Sequence, residues 1–156
     1  MRSILRIALA MTAITVGAFC ADNTIGTWKM NPAKSKTPAG QSKITSLTVV
    51  REASGDSVKV TVKGEREDKS KIDVSYMAKY DGKDVAVSGS GLPYDTLAIK
   101  QVDANTLTDV RSKKGGKYKG TGTFAVSKDG KTAILTTKGT GEDGKPFAGT
   151  TAYEKQ

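Results

Sequence analysis

The chain of 156 residues carries 25 Lys and Arg against 16 Asp and Glu, a net charge of +9, with no histidine and one cysteine, Cys20. That inventory excludes Ser–His and Cys–His nucleophile systems, zinc sites built on His and Cys, and an internal disulfide. A hydrophobic fraction of 37% allows a single thin core in which most elements keep one wet face.

Residues 1–21 read as a secretory signal. Arg2 and Arg6 supply a positive start, and Ile7 to Ala18 is an apolar run without a charge. Small residues follow at Ala18, Cys20 and Ala21, and polarity begins at Asp22-Asn23. The run is short for a membrane span, which needs about 20 apolar residues. Cleavage after Ala18 or Cys20 leaves small residues at both recognition positions, whereas cleavage after Ala21 puts Phe19 at the outer one. Cys20 also raises lipidation, but Phe19 stands where a lipobox has a small residue. The expectation is a periplasmic or secreted protein whose mature domain is residues 22–156. Removing Arg2 and Arg6 leaves that domain at +7. Its lysines are spread over nearly every strand and turn, which suits solvated faces and blunted strand edges better than specific nucleic-acid binding.

Beyond residue 22 a short alternating run is followed by a turn signal, again and again. Strands are expected near 24–30, 44–52, 57–65, 70–80, 83–89, 96–102, 106–112, 117–127, 131–138 and 146–155. Val58, Val60 and Val62 share one face, as do Ile72, Val74, Tyr76, Ala78 and Tyr80. Tyr118, Gly120, Gly122, Phe124 and Val126 repeat the pattern against Lys and Thr. Successive strand side chains point to opposite sides, so each run has one buried face. Ser54-Gly55-Asp56, Asp81-Gly82, Gly115-Gly116, Asp129-Gly130 and Asp143-Gly144 supply the turns. Three of them continue into lysine, which reads as shared turn chemistry and not as a repeat, because the flanking strands differ.

The expected fold is therefore all-β, an antiparallel up-and-down meander of about ten strands closing into a barrel. Closure of the first strand on the last would remove both exposed edges. The one long connection, Asn31 to Lys43, is too polar for a core helix and suits a loop covering one barrel end. Lys113-Lys114-Gly115-Gly116-Lys117-Tyr118-Lys119 reads as a hairpin tip. Gly120-Thr121-Gly122 and Gly139-Thr140-Gly141 lack the context of a phosphate loop and suit bends in a curved sheet.

Gly26-Thr27-Trp28-Lys29 opens the first strand and Tyr153-Glu154-Lys155 closes the last. In these places the two segments resemble the lipocalin and fatty-acid-binding superfamily, the calycins, whose ten-stranded members open with Gly-x-Trp. The stretch from Thr24 to Gln156 also looks like uncharacterised secreted bacterial proteins that begin Gly-Thr-Trp-Lys and end Tyr-Glu-Lys. The resemblance implies a lipocalin-like barrel with an interior that holds a small apolar ligand. It departs where fatty-acid-binding members carry a carboxylate-holding Arg two residues before the closing Tyr, since Thr151 stands there. The helix pair that caps their barrel is replaced by the 31–43 loop.

Candidates for a ligand cavity are Trp28, Tyr76, Arg111, Tyr118, Phe124, Phe147, Thr151 and Tyr153. Trp28 either lines the cavity or fills the barrel floor, and the bulk a barrel of this size requires favours the floor. Arg111 is either an interior partner for an anion or a surface residue, because the alternation around Leu107-Thr108-Asp109-Val110 does not set its phase. No acid–base pair is pushed inward by the pattern, and the acidic turns lack calcium-site spacing. The chain is thus expected to be non-enzymatic, with neither cofactor nor metal. Two function classes follow: a barrel binding a small apolar or amphipathic ligand, or an interaction or inhibitor module with a filled barrel, acting on an envelope protein through its loops and basic surface.

Overall fold

A computed structural model describes residues 22–156. The leader assigned to residues 1–21, its cleavage points and the lipidation of Cys20 lie outside the described residues. The described residues form eleven strands: β1 (Gly26–Met30), β2 (Ile44–Ser54), β3 (Ser57–Arg66), β4 (Lys71–Ala78), β5 (Asp81–Ala86), β6 (Ser88–Ser90), β7 (Thr96–Asp103), β8 (Thr106–Ser112), β9 (Lys119–Val126), β10 (Thr132–Thr140) and β11 (Pro146–Lys155). All pairings are antiparallel, and the sheet order is β5-β7-β8-β9-β10-β11-β1-β2-β3-β4-β6.

The two strands at the ends of that order are consecutive in the chain. The run expected as one strand at 83–89 is split at Val87: β5 pairs with β7, while β6 pairs with β4. One stretch of chain thus spans the seam, and the barrel is nearly closed. β4 meets β6 only over Asp73–Ser75, so Tyr76–Ala78 have no ladder partner on that side. Asp81-Gly82, expected as a turn, falls inside β5 at an irregularity in the β5–β7 register, and the chain reverses one residue earlier, at Tyr80 with φ 58°.

β1 pairs with β11, with Trp28 opposite Lys155 and Met30 opposite Tyr153. The first strand therefore meets the last, as the edge argument requires. The three Asp-Gly-Lys segments share one device: Asp81, Asp129 and Asp143 each accept a hydrogen bond from the backbone N–H of the lysine two residues on, at 3.0, 3.1 and 3.0 Å. The intervening glycines have φ of 70–79°.

The core fills one end of the barrel. Trp28 is fully buried and packs edge-on against Phe124, with centroids 5.4 Å apart. Its indole N–H donates to the Thr24 carbonyl at 2.8 Å. Thr24, also fully buried, donates from its backbone N–H and its hydroxyl to Asp22. Residues 22–25 thus form a plug beneath the indole, strapped to the β7–β8 turn by the Asn23 N–H to Ala104 carbonyl bond. Val58, Val60, Leu97, Ile99, Leu107, Val126 and Ala133 are buried in the same core.

Candidate functional site

The opposite end is open. A groove of about 740 Å3 lies between residues 39–42, 91–93 and 141–147, with Arg66 and Tyr118 in its wall. Beneath it a cavity of about 150 Å3 penetrates the barrel, and the two share Gln41, Arg66, Leu92, Pro93, Tyr118 and Phe147. The 31–43 loop covers part of this end. It begins with a short 3-10 turn, Pro32–Lys34, capped by the Asn31 side chain. Lys36 then exchanges backbone hydrogen bonds with Thr150, fastening the loop to β11. Pro38, which packs over Gly149, and Gln41 reach the cavity wall.

The cavity wall is apolar on β2, β3 and β10 through Leu47, Val49, Val62 and Leu135. Polar groups converge from β2, β4, β8 and β11. Seven of the eight sequence candidates line it: Tyr76, Arg111, Tyr118, Phe124, Phe147, Thr151 and Tyr153. Trp28 does not; it is the floor.

Arg111 points inward. Its Nε and Nη2 donate to the two Asp109 oxygens at 2.6 and 2.8 Å, and both side chains are 12% exposed. Of the two placements open for Arg111, interior or surface, it takes the interior one, paired with Asp109. Residues 109 and 111 are two apart on β8, so they share a face. Val110 between them is 58% exposed, an apolar residue on the wet side that disguises the phase. Gly122 opposite makes the room, since a Cβ there would lie 2.5 Å from Asp109 Oδ2 and 2.7 Å from Arg111 Nη2. An aromatic series then runs outward. The Arg111 guanidinium sits 5.1 Å from the Tyr94 ring centre, Tyr94 stacks on Tyr118 at 5.9 Å, and Tyr118 stacks on Phe147 at 5.5 Å.

Arg51, like Asp109 and Tyr94, belongs to this site and was not among the sequence candidates. It is 9% exposed, lies 4.8 Å over the Phe124 ring and donates from Nη1 to the Tyr80 hydroxyl at 3.1 Å. Its Nε is buried without a partner. Among the described residues no carboxylate forms an ion pair with it. The signal was there in the phase: Leu47, Val49 and Arg51 are alternate residues of β2.

Burial works against the charge on Arg51, but the phenols of Tyr76, Tyr80 and Tyr153 outweigh it and the guanidinium pKa lies above its ordinary value. Arg111 lies well above its own, because Tyr94 and Asp109 outweigh burial. Burial raises the Tyr76 phenol far above the usual value and pushes Tyr118 and Tyr153 up to about 12, against the lowering pull of the arginines. At neutral pH the site therefore holds two guanidinium cations beside the neutral phenols of Tyr76, Tyr118 and Tyr153.

Compared with known proteins, the chain matches no family model and no curated protein. The barrel itself, antiparallel, nearly closed and with its first strand joined to its last, is compatible with a calycin-like architecture. Among the described residues no helix is long and apolar enough to cross a membrane, and no group of three His, Cys, Asp or Glu is placed to hold a metal ion.

Proposed function

We propose that the protein is an exported, non-enzymatic lipocalin-like barrel that binds a small apolar or amphipathic ligand in its interior. The observation that carries this reading is the lumen: a barrel packed solid around Trp28 at one end keeps a cavity of about 150 Å3 at the other, opening into the groove. A void costs stability in proportion to its volume, and a close-packed domain leaves few larger than a water. An aliphatic and aromatic lining with a few convergent polar groups is the usual make-up of a small-molecule site. The Gly26-Thr27-Trp28 start and the position of the pocket inside the barrel support the calycin resemblance.

The test is native mass spectrometry and solvent extraction of the mature protein purified without denaturant. A stoichiometric adduct or extractable apolar compound is the expected result. An empty barrel that also fails to bind lipophilic dyes, with a protein captured stoichiometrically from an envelope extract instead, would favour the interaction or inhibitor reading.

A further inference from the structure

Building on the interior-ligand reading, we infer that Arg51 is an anion-recognition site and that the ligand is a carboxylate carried on an apolar body of about ring size. Three observations converge. The first is the missing counter-charge. Of the two guanidinium groups deep in the barrel, Arg111 has both carboxylate oxygens of Asp109, while Arg51 has only the Tyr80 hydroxyl. A buried ion without a partner carries a desolvation cost of several kcal/mol, and Arg51 Nε is a donor already stripped of water with nothing to bond.

The second is direction. Arg51 lines the cavity together with Tyr76, Phe124 and Tyr153. Nε itself is covered, so a ligand in that space would meet the terminal nitrogens of the fork, of which Nη1 holds one hydrogen bond, to Tyr80. A guanidinium presents donors in a planar fork matched to a carboxylate. The phenols of Tyr76 and Tyr153, both held neutral by burial, keep a proton to donate.

The third is size. A cavity of about 150 Å3 is that of an engineered apolar void known to take benzene. It cannot swallow a long chain whole. A compact body fits under the Arg111–Tyr94–Tyr118–Phe147 series, and any further substituent runs outward into the groove. The anion site is on β2, so it differs in place from an arginine just before the closing tyrosine, where this chain has Thr151.

The experiment is calorimetric titration of the mature protein, freed of any co-purified compound, with matched probes: sodium benzoate against benzyl alcohol, and sodium hexanoate against hexanol. Acetate is the body-free control. The expected result is that each carboxylate binds at least about tenfold more tightly than its alcohol, as a hydrogen bond to a charged group implies. Arg51→Met removes that preference while leaving alcohol binding, whereas Lys100→Gln, which removes an exposed charge from the outer face, leaves it intact. Equal binding of acid and alcohol by the wild-type protein overturns the anion site and leaves the interior-ligand reading standing. Acetate binding as tightly as benzoate overturns the apolar body. Binding of no probe overturns both readings. The wild-type comparison decides the matter even if Arg51→Met does not fold.

Discussion

Trp28 lies directly opposite Lys155 in the β1–β11 ladder, and the Lys155 ammonium sits 5.1 Å from the centre of the Trp28 ring. The two residues stand near opposite ends of the described residues. Gly26 makes room for the lysine stem: its φ is 126°, a conformation other residues resist, and a Cβ would lie 2.7 Å from Lys155 Cε. The joint that closes the barrel therefore rests on one aromatic ring, one lysine and one glycine.

Trp28→Ala is expected to destabilise the protein by about 3–5 kcal/mol, the usual cost of emptying a large aromatic site. Trp28 is the sole tryptophan. Its emission in the wild type is expected to be blue-shifted and protected from acrylamide, moving to the red in a single step with denaturant. Emission that is water-like before denaturation would show the floor to be open.

Breaking the Asp109–Arg111 pair from one side leaves the other charge buried. Arg111→Met and Asp109→Asn are each expected to cost about 3–5 kcal/mol, and the double variant less than their sum. Urea midpoints of the four proteins give the coupling. Gly122→Ala is expected to be harmful by the same route, because the new methyl collides with both partners.

Arg51→Met is expected to raise, not lower, the urea midpoint of the ligand-free protein, since it removes an unpaired buried charge. Loss of more than about 1 kcal/mol, a typical hydrogen-bond contribution, would mean that the guanidinium serves the fold through Tyr80 and Phe124.

Alkali is expected to unfold the protein through its tyrosines. Burial raises the folded-state pKa of Tyr76 and Tyr153, to about 12 for the latter. Above about pH 10 the unfolded chain ionises first and binds fewer protons, so stability falls with rising pH by about 1.4 kcal/mol per unit for each such phenol. Below that pH both states are neutral and these residues add no slope. Absorbance at about 295 nm, which follows phenolate, should therefore rise together with loss of sheet signal; phenolate appearing near pH 10 in an intact barrel would contradict the buried placement.

The barrel was legible because the pattern that encodes it is local. Val58, Val60 and Val62 announce their buried face within five residues, and the Asp-Gly-Lys turns at 129–131 and 143–145 each carry their own hydrogen bond. The split of β5 from β6 was not legible, because it is a change of partner: Lys83 to Gly89 looks like one strand, and only the arrival of β4 on one side and β7 on the other divides it at Val87. The cavity aromatics followed from phase. Arg51 shared that phase with Leu47 and Val49, but charged residues are almost never fully buried unless paired, and that prior hides a cation placed in the wall without a partner. Asp109 and Arg111 were obscured by Val110, whose apolar side chain points outward.

The joining of β1 to β11 has a temporal consequence. A chain emerging N-terminus first from a ribosome offers the tryptophan-bearing strand only one neighbour, β2, until residues 153–155 appear. Completion of the ring is thus postponed until those residues have emerged, and everything before it is an open sheet with a wet seam. Such late-forming, long-range pairing is slow, and a chain clipped before Tyr153 is unable to finish.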